Sequence, residues 1–244
     1  MFTSVEERVP IKDIIVKQIE DAILEKKYLP GTKLPTEMEM GKQFNVSRTS
    51  VREAVQILSA RGLITVEKGR GIYVNKITSD SVIDPLKNYL KLELDKDSAL
   101  DLTHARQILE PAIAFEAAKN RNDKDIEILK NDIEALKNCE GSFEELAALD
   151  MQFHLNLAKA THNIIVPLLI QPIHSLLPKI KPYVYAKVNE SKDAALIWHQ
   201  KILDAVINHD QKTAYEEMIE HLRIAEQHAR KVLELDNIKQ LTNK

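Results

Sequence analysis

Several ionisable residues of this chain stand inside apolar stripes, where only a partner makes them affordable. Asp150 and His154 lie four residues apart in the stripe Leu146, Asp150, Phe153, His154, Leu157, so on a helix they share one face. His199 falls among Ala195, Ile202 and Val206, and His221 among Ala214, Met218, Leu222 and Ala225. Arg106 is set among Leu102, Ala105, Leu109 and Ile113. Burying such groups unpaired costs several kcal/mol. For any one of these histidines a hydrogen-bonded place in the core is the ordinary explanation. Taken together, the aspartate and the histidines can instead satisfy one another through a divalent metal. Imidazole with carboxylate suits zinc, nickel or manganese. The ligands come from separate helices, so spacing alone leaves their convergence open. Arg106 is a permanent cation that needs an anion; Glu110, one turn on, is a structural partner, and an acidic ligand is the alternative.

A second group of polar residues lies near the N-terminus. Arg48, Thr49, Arg52 and Gln56 occupy the outward face of a helical segment whose inward face is Val51, Ala54, Val55 and Leu58. An arginine fork can reach guanine O6 and N7 in a major groove, and Thr or Gln can bond bases or phosphates. An ordinary solvated face would look the same, so the neighbouring elements decide. Apolar residues from Ile11 to Ile23 mark a first helix, ended by Leu29-Pro30-Gly31. Thr36 and Glu39 have capping-box spacing for a second helix running to about Phe44. After a turn at Asn45-Val46, Ser47 caps the third, and Gly62 suits its exit. Leu63–Val66 and Ile72–Val74 are strand-like runs joined by Glu67-Lys68-Gly69-Arg70-Gly71. This is the pattern of a β-hairpin wing, whose Lys68 and Arg70 can meet phosphate or a minor groove. Three helices and a wing form a winged helix–turn–helix.

Beyond a linker over 77–85, nearly everything has helical period. Helices are expected near 82–93, 98–120, 123–139, 142–160, 164–185, 191–208 and 211–236, with Pro111 bending the second of these. The expected organisation is therefore a DNA-binding domain over 1–76 and an all-α domain over 86–244, a mainly α protein. Charge follows the division. Residues 1–76 hold 13 Lys+Arg against 10 Asp+Glu, and the rest of the chain 21 against 27, within an overall charge of −3. A basic front and an acidic rear suit different tasks. The single cysteine, Cys139, excludes an intrachain disulfide and fits a reducing cytoplasm. The apolar stretch Ile164–Ile180 is interrupted by Pro167, Pro172, His174 and Pro178, so no membrane span is expected.

The run LPTEMEMGKQFNVSRTSVREAVQILSARGLITVEKGRGIYV resembles the DNA-binding domain of the GntR family of bacterial regulators. The resemblance implies DNA contacts from Arg48, Thr49, Ser50, Arg52 and the wing's Gly69. Where the family usually has an arginine that contacts the operator, this chain has Met38. The arrangement of Arg106 and Glu110, Asp150-x-x-Phe153-His154, His199 and His221-Leu222 is similar to the FCD effector domain of the FadR-type branch. That resemblance implies a bundle of six or seven helices around a cavity. It also implies a metal held by Asp150, His154, His199 and His221, and an acid bound by Arg106. The remaining histidines, His104, His162, His174, His209 and His228, read as surface or packing residues. The expected function is a homodimeric repressor on a pseudo-palindromic operator, answering to a small organic or sugar acid. A metal-dependent hydrolase with a DNA-binding head, and a metal-independent sensor of an acyl ligand, are the rival readings.

Overall fold

The computed structural model describes residues 9–76, 78–93, 99–177 and 181–242. The chain divides into compact units, Met1–Ser81 and Val82–Lys244.

In the first unit, α1 (Ile11–Leu24) turns Ile15, Val16, Ile19 and Ile23 inward. Ile11 and Ile14, read as part of the same apolar face, are exposed instead, and Val16 takes the inward place. The capping box forms at α2 (Glu37–Phe44): Thr36 accepts from the Glu39 backbone, and the Glu39 side chain accepts in return from the Thr36 N–H. Asn45, left-handed at φ 53°, closes α2 and turns the chain into α3 (Arg48–Ala60), which Ser47 caps. Gly62, at φ 75°, releases the chain into the wing at a conformation that costs glycine little. The wing strands β2 (Ile64–Glu67) and β3 (Gly71–Val74) pair antiparallel, with Val66 opposite Ile72. A short strand that periodicity did not signal, β1 (Lys33–Leu34), adds to the far side of β3 in the order β1-β3-β2. Val51, Ala54, Val55 and Leu58 of α3 join the residues of α1 and the strands in one core.

The secondary structure of the second unit, among its described residues, is helical: α4 (Asp80–Glu93, begun at the end of the first unit), α5 (Ala99–Asn120), α6 (Asp123–Asn138), α7 (Phe143–Lys159), α8 (Ile165–His174), α9 (Lys181–Lys187), α10 (Ser191–Ile207) and α11 (Gln211–Thr242). Most of the stretch read as a linker is thus the start of α4. Asp80 in the first turn favours a helix N-terminus. Pro85 removes only one backbone donor there. The expected helix over 164–185 is two, α8 and α9. Pro178, which has no N–H to carry a helix onward, lies outside the described residues. Pro111 sits inside α5, which is assigned as one helix across it. The main core of this unit joins Ala114, Ala117 and Ala118 of α5, Phe153 and Leu157 of α7, Ile202 and Val206 of α10, and Met218 and Leu222 of α11. Small alanines on α5 let neighbouring helices approach closely, and that brings the ionisable side chains of the stripes into one place. Among the described residues no helix is long and apolar enough to cross a membrane.

Candidate functional site

On α3 the outward residues Arg48, Thr49, Arg52 and Gln56 are exposed, as are Lys68, Gly69 and Arg70 at the wing tip. They are not equally free. Arg48 Nε lies 3.0 Å from Glu37 Oε2, and Arg70 Nη1 lies 3.2 Å from Glu67 Oε2. Arg52 has no ion-pair partner among the described residues. Ser50 is half-buried, its hydroxyl 2.9 Å from that of Ser47. Its first task is therefore to secure the start of α3. Met38 is exposed at the N-terminal end of α2, where it offers neither charge nor donor.

In the helical unit, Asp150 and His154 of α7, His199 of α10 and His221 of α11 are all buried, and one ligand atom from each lies within 4.8 Å of all the others. His154 Nε2 is 3.2 Å from His199 Nε2 and 3.2 Å from His221 Nε2. His199 Nε2 is 3.3 Å from Asp150 Oδ1. The stripes that spacing left separate do converge. Phe153, next to His154 in the chain, stacks on the His199 ring with centroids 4.1 Å apart and so fixes its plane.

Electrostatics suit a cation at this point. Burial pushes His154 down to about 3, against the opposing pull of the Glu110 carboxylate. Burial likewise holds His221 well below the ordinary histidine range. Both rings are therefore neutral, as metal ligation requires. Burial works to raise the Asp150 carboxyl, but Lys181 beside it and the neighbouring imidazoles hold it well below the usual carboxylate range. Among the described residues neither Asp150 oxygen receives a well-directed hydrogen bond, and the Lys181 ammonium rests against Oδ2 as an ion pair. An ionised, buried carboxylate short of donors beside neutral imidazoles is a donor set of the right kind for a divalent ion.

Arg106 pairs with Glu110, the structural partner expected one turn along α5: its Nε is 2.5 Å from Oε1. Its Nη2 reaches to 3.1 Å from His154 Nε2. The guanidinium also forms part of a cavity wall with Lys181, Tyr185, Ser191, His221 and His228. The Ser191 hydroxyl is buried with no hydrogen-bond partner among the described residues.

Sequence reasoning missed His174, Lys181, Tyr185, Ser191 and His228 among these groups. His174, read as a surface or packing residue, is buried with Nε2 2.9 Å from Glu110 Oε1. Lys181 and Tyr185 lie on the short helix α9, where no stripe marked them. A cation and a tyrosine four apart on the flank of a proline-broken apolar run were the available signal. His162 and His209 lie away from the cluster, at 2.7 Å from Asp125 Oδ2 and from the Ala118 carbonyl oxygen respectively.

Two family models match the chain: "Bacterial regulatory proteins, gntR family" over residues 11–74, and "FCD domain" over residues 101–224. The chain is 32% identical over 232 residues to the Uxu operon transcriptional regulator of Escherichia coli, covering 90% of this chain and 86% of that protein. It is 29% identical to the HTH-type transcriptional regulator LutR of Bacillus subtilis, covering 79% of this chain and 89% of the relative. Among solved structures, a GntR protein of Streptococcus agalactiae superposes with a TM-score of 0.67 at 26% identity, over 88% of this chain and 99% of the other.

Proposed function

The chain belongs to the gntR family of bacterial regulatory proteins and carries an FCD domain; it is a transcriptional regulator, and we propose that it is a repressor whose grip on its operator is set by a small organic acid bound beside a divalent metal in the helical unit. The observation that carries this reading is the convergence of Asp150, His154, His199 and His221 on one point, with Arg106 in the adjoining cavity wall. Those four residues would hold the metal. When bound, it would supply positive charge and coordination positions open to oxygen ligands.

The protein's own residues do the rest. Arg106 is anchored through Nε by Glu110, and the remaining edge of its guanidinium can take a carboxylate in the paired geometry that arginine favours. Lys181, on the same wall, adds a second cation. The Ser191 hydroxyl and the Tyr185 phenol supply hydrogen-bonding partners for oxygen. Val184, Ala195, Trp198 and Ile224 make much of the remaining wall apolar and limit the size of what enters. A compact hydroxy acid or dicarboxylate matches this lining. Arg48, Thr49 and Arg52 would read the operator in the major groove, with Lys68, Gly69 and Arg70 against the backbone or minor groove. Two subunits arranged about a twofold axis would meet a pseudo-palindromic site. The acid would act by favouring one population of the dimer over another, and so changing operator affinity.

The test is metal analysis of the purified protein followed by a thermal-shift screen of small organic acids, with and without chelator. Bound zinc, nickel or manganese, and acids that raise Tm only when the metal is present, are the expected results. A metal-free protein whose acid response survives chelation would overturn the metal-assisted reading. Operator titration with and without the selected acid then reads the sign of regulation, and weaker binding with the acid is the outcome expected of an induced repressor.

A further inference from the structure

Glu110 is the most heavily used carboxylate among the buried groups around the cluster, yet it is no candidate ligand. Its Oε1 is 2.5 Å from Arg106 Nε and 2.9 Å from His174 Nε2. Its Oε2 is 2.5 Å from His154 Nδ1. Arg106, a permanent cation, pairs with it through Nε and approaches Oε2 through Nη2 at 3.5 Å, so the carboxylate is ionised. An ionised carboxylate only accepts hydrogen bonds, so each ring nitrogen facing it must carry a hydrogen. His154 is therefore protonated at Nδ1. Its Nε2 is left as a lone pair, on the side where His199, His221 and Asp150 converge. Arg106 Nη2 approaches the same ring, 3.1 Å from Nε2 and 3.4 Å from Nδ1. His174 Nδ1 is buried without a hydrogen-bond partner among the described residues.

We propose that Glu110 is the positioning residue of the metal site: by accepting from His154 Nδ1–H, it sets the tautomer and ring orientation that turn Nε2 toward the other ligands. The role rests on the metal reading given above. Through Oε1 the same carboxylate holds Arg106, so one side chain on α5 orients both a metal ligand on α7 and the cation of the cavity wall. His174 supplies a further donor to Oε1 and reduces the freedom of the carboxylate to rotate.

The Glu110→Gln variant makes a sharp prediction. Arg106 Nε and His174 Nε2 face Oε1 at 2.5 and 2.9 Å while Arg106 Nη2 stands 3.5 Å from Oε2, so the amide oxygen takes the Oε1 position and the amide NH2 takes the place of Oε2. An N–H then faces His154 Nδ1, and the ring must move its hydrogen to Nε2, pointing it at the other ligand atoms. The experiment uses full-length protein with 15N-labelled histidine, its ring tautomers read by long-range proton–nitrogen correlation after chelation, and zinc affinity measured by competition with a chromophoric chelator. The expected results are an Nδ1–H tautomer for His154 in the natural protein, an Nε2–H tautomer in Glu110→Gln, and zinc affinity lower by about 10- to 100-fold in the variant. An Nε2–H tautomer in the natural protein overturns the proposal, and that measurement stands even if the variant fails to fold. A Glu110→Gln protein that keeps the Nδ1–H tautomer and binds zinc like the natural one overturns it too. Natural protein with the Nδ1–H tautomer but no zinc affinity would instead overturn the metal reading, and the positioning role with it.

Discussion

At the scale of single residues, the buried cluster and the outward face of α3, proposed to read DNA, call for opposite experiments. His199 is a ligand candidate that Phe153 holds in place from one ring face. His199→Ala removes that ligand and leaves Asp150 Oδ1 without its imidazole neighbour. The expected outcome is loss of most metal uptake, together with loss of the rise in Tm that metal addition gives the natural protein. Metal analysis and thermal scans check it. Arg106 cannot be tested by truncation alone, since its removal would strip Glu110 of its strongest partner. Arg106→Lys keeps the charge and loses the fork, so acid affinity measured by calorimetry should fall while metal content stays near that of the natural protein. On α3, Arg52→Ala should weaken operator binding by about 1–3 kcal/mol and relax base preference at one position of each half-site. Lys68→Ala in the wing should cost less and reduce the salt dependence, as loss of one phosphate contact does. Unchanged operator affinity in Arg52→Ala would remove α3 from the reading of DNA.

At the scale of elements, the reading face depends on how α3 begins. Ser47 accepts from the Ser50 backbone N–H, and the two hydroxyls meet at 2.9 Å, so the first turn is pinned where Arg48 and Thr49 project. Ser47→Ala should destabilise that turn by roughly 1 kcal/mol. Amide exchange at the N-terminal end of α3 should then speed up by about fivefold, with the exchange of α7 and α10 unaffected. In the helical unit, the elements matter through what they carry: α7 gives two ligand candidates a turn apart, α10 and α11 give one each, and α5 gives the Arg106–Glu110 pair. α9 is too short to read as an element from periodicity, yet it brings Lys181 to Asp150 and Tyr185 into the cavity wall.

At the scale of the whole molecule, the proposed pseudo-palindromic operator would ask for a twofold protein. The α5 and α8 helices pack together and leave Ile108, Ile164, Ile165 and Leu169 exposed; Ile164 is 82% exposed. A second copy of the chain would cover such residues. Light scattering on the full chain should give twice the monomer mass of 27.8 kDa. The double variant Ile164→Glu, Leu169→Glu should shift the protein toward monomer and weaken operator binding; a dimer unaffected by both charges would place the interface elsewhere.

What the amino-acid sequence determined by itself was local. The capping box at Thr36–Glu39, the Ser47 cap, the glycine exit at Gly62 and the period of the long helices are set by residues within a few positions of one another, so they are legible along the chain. The candidate ligands were legible for the same reason, each as an ionisable residue out of place in its own apolar stripe. Spacing could not show that Asp150, His154, His199 and His221 meet, and only the family resemblance implied it; tertiary structure decided it, because their distances depend on how α7, α10 and α11 pack across Phe153, Ile202, Met218 and Leu222. It alone assigned His174 to Glu110, a pairing 64 residues apart in the chain, and placed Lys181 against Asp150. Those pairings arise because a buried charge must find its complement wherever the packing of helices brings one near, and no local period records where that is.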